Sequence, residues 1–307
     1  MNIVFLILVH WLIVLTLAPL FTGVITKVKA FFAGKKGPSV FQAYFDLQKL
    51  FQKSSVYSST TTWIFRAAPI VNLAAVLVLS LLVPVGVLKA PVQFAGDIFL
   101  AAYILGLARF FMIAAGLDTG SSFEGMGASR EAFFSCLTEL ALFMNFITLS
   151  LVARSISLST MIGADFPLSW KLMGPILLLV AASFFIVILA ENARIPVDDP
   201  DTHLELTMIH EVMILDHSGV DLAYMFYAAI IKLFVFAGIL VPIIFPIQTG
   251  NITVDMLVFL GAMLVVSIMI GVVESVMARL RLNRVQNLLL IAFALAFFGF
   301  VVKMWKG

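Results

Sequence analysis

The sequence predicts an all-α polytopic membrane protein, and three observations carry that prediction. Of its 307 residues 62% are hydrophobic and 12% charged, with a mean hydropathy of +1.12. Soluble domains carry about 25% charged residues, so an excess this large makes the outer surface apolar as well as the core. Eight apolar runs approach the roughly 20 residues that a helix needs to cross a bilayer, and the charges gather between them. The net charge of +2 is too small and too scattered for a nucleic-acid partner.

The first run, Ile3–Ile25, has neither a basic start nor a clear small-residue cleavage site, so it is expected to remain as a helix. A Gly-Pro turn follows, and then residues 38–53 place Val40, Phe41, Tyr44, Phe45, Leu47, Leu50 and Phe51 mostly on one stripe opposite Asp46, Lys49 and Lys53. This reads as an amphipathic helix at the cytoplasmic interface, or simply as the strut that orients the first two spans. The second run, Ala68–Leu88, opens with Arg66 and with Pro69 in its first turn, where proline removes no hydrogen bond. In the third, Ile98–Gly116, Arg109 is either a functional charge or one that snorkels to the interface.

Residues 116–131 read as a glycine-rich connection into the fourth run, Ala132–Ala153. Glu131, Ser135 and Glu139 recur every four residues and share one helix face. Glu139 lies about two turns inside its span, so it is expected to face the bundle interior, protonated or paired with Arg109 or Arg130. The fifth run, Met173–Ala190, leads into residues 191–221, which hold eight of the seventeen acidic residues, three of the four histidines and one basic residue, Arg194. Glu191 and Arg194 are spaced to pair if the helix continues, and Pro196 and Pro200 then stop it. His203, His210 and His217 are each seven residues apart, about 10 Å on a helix, which is too far for two ligands of one metal. The sixth run, Ala223–Phe245, carries Lys232 near its middle, open to a proton-relay role or to pairing with Glu139 or Glu191. Val254–Val273 and Asn287–Val302 complete the set, joined by Glu274, Arg279, Arg281 and Arg284.

Twelve of the loop Lys and Arg residues fall on one side and five on the other. By the positive-inside rule the amphipathic helix and the acidic loop are cytoplasmic, and both termini lie on the non-cytoplasmic side of the cell's inner membrane. The whole of 1–307 reads as one transmembrane domain. Its single cysteine, Cys136, cannot by itself hold an iron–sulfur cluster or a structural zinc. No phosphate-binding loop, dinucleotide turn, nucleophile elbow or HExxH occurs, which argues against a self-contained enzyme.

The pattern Glu191-x-x-Arg194-x-Pro196-x-Asp198-x-x-Asp201-x-x-x-Glu205-Leu206 resembles the acidic loop of subunit 1 of respiratory complex I and of formate hydrogenlyase subunit 4, a membrane subunit of group 4 membrane-bound hydrogenases. Lys36-Gly37-Pro38 with Asp46 and Lys49, Gly127-Ala128-Ser129-Arg130 with Glu139, and Ala278-Arg279-Leu280-Arg281 are similar to three further motifs of the family, in order. Gly116-Leu117-Asp118-Thr119-Gly120-Ser121 looks like the hydrogenase branch. The resemblance implies a subunit that binds no cofactor itself and docks a hydrogenase-like large subunit and an iron–sulfur small subunit, with or without a [NiFe] centre in the former, beside antiporter-like membrane subunits. It implies an ion path through Glu139, Glu191, Asp198, Asp201, Glu205 and Lys232, with Arg109, Arg130 and Arg194 as counter-charges. Val197, Asp199 and His203 depart from the family pattern where a quinone cavity would be lined, so quinone binding is not carried over. The function expected is coupling of partner electron transfer to proton or sodium translocation. A free-standing ion transporter and a purely structural anchor are the competing readings.

Overall fold

A computed structural model describes residues 3–163, 166–199, 208–246 and 249–306. These residues are nearly all helical, in ten α-helices: α1 Ile3–Phe32, α2 Gln42–Phe51, α3 Trp63–Leu82, α4 Asp97–Asp118, α5 Ser122–Ala153, the single turn α6 Leu158–Met161, α7 Phe166–Glu191, α8 Gly219–Ile244, α9 Ile252–Val276 and α10 Leu282–Lys306. Eight of them are long and apolar enough to cross a membrane. The connections α1–α3, α4–α5, α7–α8 and α9–α10 share one end of the bundle, hereafter the charged face.

Local sequence accounts for most helix limits. Thr62 caps α3 through its hydroxyl, and Asn251 caps α9 through its side-chain oxygen. In α7 the helix breaks at Met173, just before Gly174 and Pro175, because proline has no N–H for the ladder and crowds the residues ahead of it. Two expectations need correction. Residues 116–131 are not a loop: only Thr119, Gly120 and Ser121 separate α4 from α5, and Gly120 makes the turn at φ +72°. Glycine there reads as a breaker, yet Gly127 lies inside α5 because a Cβ at that position would collide with Val212 of the acidic loop. Likewise the amphipathic helix is shorter than 38–53, since it occupies only Gln42–Phe51.

α8 is the central post. It packs on α1, α2, α3, α7 and α9, and from Leu233 to Val241 it is buried throughout. α3 and α4 pair on one flank, and α5, α7 and α10 form a second group on the other. With no hydrophobic force between helices in lipid, polar side chains tie them to partner backbones. The His10 ring meets the Ser80 carbonyl at 2.8 Å, the Trp11 indole donates to the Leu77 carbonyl, and Asn145 donates to Ser183, which donates to the Ala292 carbonyl at 2.6 Å. The lipid side of the same helices is apolar, with Phe5, Leu12, Tyr103, Phe110 and Phe298 exposed.

α1 has 30 residues and is about 45 Å long, more than the roughly 30 Å of hydrocarbon. α2 marks where it leaves the membrane: the Tyr44 hydroxyl donates to the Thr16 carbonyl, and the Val40 carbonyl lies directly on Gly23. The last turns of α1 therefore stand above the membrane on the charged face, with Phe31 and Phe32 exposed. Gly23→Val would drive a Cβ into the Val40 carbonyl, which is carried by backbone that cannot yield. A loss of about 1–3 kcal/mol or more is expected, read as a lower thermal midpoint in detergent, whereas Gly261→Val, whose Cβ meets nothing within 4 Å, leaves the midpoint unchanged.

Candidate functional site

Five charged side chains from four helices meet around one guanidinium, four of them inside the bundle and Glu139 at its edge. Arg109 of α4 is the hub. Its guanidinium donates to Glu139 of α5 and, at 2.5 Å, to Glu191 at the end of α7, and its Nε lies 3.9 Å from Glu131 of α5. The second Glu191 oxygen faces the Lys232 ammonium of α8 at 3.7 Å. Glu191 is the most enclosed member, its side chain 2% exposed. Glu131 and Glu139 are eight residues apart on α5, about 12 Å along its axis, and the single guanidinium between them reaches both. Three carboxylates against two cations leave one formal negative charge for a proton or a monovalent cation to neutralise.

A cavity of about 600 Å³ leads to this cluster from the charged face. Its mouth carries Asp46, Lys49 and Lys53 of α2, its walls include Thr22, Asn72 and Val76, and its floor is Arg109, Glu131, Glu191 and Lys232. A smaller cavity of about 20 Å³ lies between Asp198 of the loop and Arg109, Glu131 and Glu191. That is room for one water molecule among polar partners. Carboxylates at both ends of such a gap, Asp198 on one side and Glu131 and Glu191 on the other, are suited to passing protons over short distances.

The structure shows which of the possible ion pairs form. Arg109 pairs within the bundle and does not snorkel. Lys232 pairs with Glu191 and not with Glu139. Glu139 does have a basic partner, but its side chain is 39% exposed on the lateral surface, which corrects the expectation of an interior position. Arg130 is not its counter-charge: Arg130 donates to the Met208 carbonyl at 2.9 Å and pins the loop to α5. Nor do Glu191 and Arg194 pair, because α7 ends at Glu191 and the chain turns at Ala193 with φ +48°. Arg194 reaches Glu274 at 3.3 Å instead, and Lys29 meets the same carboxylate at 3.2 Å. Asp198 belongs to a clasp: it pairs with Arg279 at 2.7 Å and accepts the backbone N–H groups of Ile209 and His210. Asp201, Glu205 and His203 lie outside the described residues.

Residues absent from the expected path also contribute. Glu131 was legible through its four-residue spacing to Ser135 and on to Glu139. Glu274 and Arg279 looked like span-end charges, and only the fold shows that they hold the loop. His210 lines the large cavity. Burial, reinforced by the Lys232 charge, holds its ring down at about 4. His217 is stacked flat on Phe65 with centroids 3.8 Å apart, and burial holds it at about 4 as well.

Residues 3–304 match the family described as NADH dehydrogenase. The chain belongs to that family. It is similar to hydrogenase-4 component C of Escherichia coli K12, at 30% identity over 296 residues that cover 94% of this chain and 92% of the relative. It is also similar to formate hydrogenlyase subunit 4 of the same organism, at 29% identity with 96% of each chain covered. The fold is that of a chain in the membrane-bound sulfane sulfur reductase, an archaeal respiratory membrane complex, with a TM-score of 0.83 and 19% identity over 97% of this chain and 100% of that one. Within the NADH dehydrogenase family, the two E. coli hydrogenase-type subunits are thus matched over almost their whole length, with eight candidate spans in the described part of this chain.

Two outcomes follow from the site. Arg109→Ala leaves three carboxylates facing one lysine inside the membrane, a loss of about 3–5 kcal/mol. It should abolish recovery of folded protein from detergent extracts, while Arg109→Lys, which keeps the charge, restores part of it. The second concerns acid. His210 and His217 are held neutral, so the folded loop is favoured above the ordinary histidine pKa of about 6.5 and is progressively disfavoured as pH falls from there to about 4. Amide exchange across 208–219, corrected for intrinsic rates, should accelerate over that window, and His217→Phe should remove part of the acceleration.

Proposed function

We propose that this chain is the membrane subunit of a complex I-like or group 4 hydrogenase-like assembly, docking redox subunits on its charged face and coupling their electron transfer to proton or sodium movement. The observation that carries the reading is the cluster of Arg109, Glu131, Glu191 and Lys232 at the floor of the 600 Å³ cavity, with Glu139 joined to it through Arg109. Its excess carboxylate is the ion-binding element. The relatives named hydrogenase-4 component C and formate hydrogenlyase subunit 4 support the assignment to a multisubunit oxidoreductase.

In this mechanism the partners are a hydrogenase-like large subunit and an iron–sulfur small subunit, seated over the charged face in the cytoplasm, with both termini of this chain on the other side. Electron transfer in the partner changes the charge near residues 192–218. That change acts on the Asp198–Arg279 clasp and, across the small cavity, on the carboxylates around Arg109, so that an ion is taken up or released. Like charges brought close together titrate as a set, which suits a cluster of three carboxylates to this exchange. Asp201 and Glu205 extend the acidic path into the loop. Glu139 is the exit to antiporter-like subunits. It stands about 21 Å from the end of α5 on the opposite face, well within the hydrocarbon, and a half-exposed carboxylate there calls for a polar neighbour. The same observation argues against a free-standing transporter, whose lipid-facing surface would leave Glu139 uncovered.

The test is Glu191→Gln in the intact complex, in sealed vesicles. Electron-transfer turnover should persist in part while the ion gradient formed per electron falls at least tenfold. A variant that keeps the wild-type gradient per electron would remove the cluster from the coupling path.

A further inference from the structure

A second large cavity, of about 490 Å³, lies on the face opposite the acidic loop, between the ends of α3 and α8 and the start of α9. The turn at Gly86 (φ +61°) closes its outer side: a Cβ there would sit 2.7 Å from the Met256 sulfur and 3.2 Å from the Phe259 ring, so the chain after α3 lies directly on α9. Two helix positions give the depth. Gly238 lies six residues, or about 9 Å, below the end of α8 at Ile244, and Ala262 lies ten residues, or about 15 Å, below the start of α9 at Ile252. Half of a hydrocarbon core of about 30 Å is also about 15 Å. The cavity is therefore as deep as one leaflet and, at its volume, about 30 Å² in mean section, much narrower than a helix of about 10 Å diameter.

Its chemistry changes along that depth. The inner part is walled by Val241, Val258, Phe259 and Ala262. A hydrophilic ligand needs several convergent polar groups and finds one free acceptor there, the Gly238 carbonyl, which Pro242 leaves without its helix donor. Polar groups gather at the outer end, where Lys89, Gln93, Ser159, Thr160 and Asp255 line the mouth. Asp255 is held in place by the Thr249 N–H and hydroxyl and the Gly250 N–H. Among the described residues no cation pairs with Asp255 and no carboxylate with Lys89.

We propose that this cavity is a binding site for a zwitterionic phospholipid of the leaflet away from the charged face, with one acyl chain between α3, α8 and α9, its phosphate at Lys89 and its ethanolamine ammonium at Asp255. The narrow section admits a chain and excludes a partner's helix. The bilayer is as apolar as the cavity, so a chain gains little beyond packing by moving from one to the other. Selection therefore rests on the head. A lysine binds phosphate as a point charge, and a carboxylate at the same mouth accepts the N–H groups of a primary ammonium while repelling a head of net negative charge. The bound chain fills the gap between α3 and α9, both of which pack on α8.

The test is photocrosslinking in the intact complex, reconstituted in vesicles of equal phosphatidylethanolamine and phosphatidylglycerol, with a small share of one or the other lipid carrying a diazirine on an acyl chain. Val241 and Phe259 are 2% and 8% exposed, out of reach of lipid on the outer surface, whereas Leu257, 69% exposed, reports that surface. The phosphatidylethanolamine probe should label Val241 or Phe259 at least fivefold more than the phosphatidylglycerol probe does, with Leu257 labelled alike by both. Lys89→Gln should lower cavity labelling by the phosphatidylethanolamine probe at least fivefold. Asp255→Asn, which keeps an oxygen for Thr249, should remove the preference over phosphatidylglycerol. Unchanged labelling of Leu257 in both variants shows that the complex is folded and embedded. Label confined to Leu257 in the wild type would mean that lipid stays on the outer surface, and the proposal fails. Cavity labelling that is equal for the two probes, or indifferent to Lys89→Gln, would mean unselective filling by any acyl chain, which also overturns it. The outcome is independent of the ion-coupling reading, which Glu191→Gln tests by itself.

Discussion

A guanidinium inside a membrane has to be matched by carboxylates, and the arrangement around Arg109 follows from that constraint. Hydrocarbon offers no solvent to an unpaired charge, so Arg109 fixes where α5 and α7 sit relative to α4: Glu139 and Glu191 must both lie within hydrogen-bond reach of it. Glu191 in turn fixes α8 through Lys232. The cluster is therefore a structural joint as well as a chemical site. Buried ion pairs are weak sources of net stability but costly to break, which makes such a joint sensitive to small changes in charge.

Around this joint lies a second, outer set of ionic contacts that holds the acidic loop. Asp198 with Arg279, and Glu274 with Lys29 and Arg194, tie residues 194–198 to the ends of α1 and α9 and to the α9–α10 connection. The Leu280 N–H donating to the Pro196 carbonyl adds a backbone link. The loop is thus anchored at its start by charges on other elements and lies against α5 through Arg130 and Val212. Any partner seated on this face would press on a segment whose supports lead directly to the helices that carry the inner cluster. The 20 Å³ gap between Asp198 and the Arg109 group is where the two sets meet.

α8 divides the molecule functionally. Toward the charged face it presents Lys232 to a wide cavity; toward the other it presents Gly238 and Pro242 to a separate one. Between them it is packed as tightly as any core, with phenylalanines from α1 and α7 closing around it. One helix so built can carry a charge at its centre and still seal the bilayer.

What the sequence by itself determined is the class of the fold and the inventory of charges. Eight apolar runs, the amphipathic stretch near Gln42–Phe51 and the acidic segment after Glu191 are all legible, because the bilayer imposes length and hydropathy rules that each segment obeys on its own. Glu139 and Lys232 stood out for the same reason: a charge in an apolar run is costly wherever the run packs. Pairing was not legible. Arg109 with Glu139 spans 30 residues of sequence, Arg109 with Glu191 spans 82, and Arg194 with Glu274 spans 80, so only the packing of α4 on α5 and of the loop on α9 could choose among several chemically equivalent partners. Local spacing misled at Glu191 and Arg194, where the helix ends too soon, and at residues 116–131, where Gly127 serves a close contact and not a turn. The cavities belong wholly to the tertiary structure, since an empty volume is set by how helices diverge and no single segment records it.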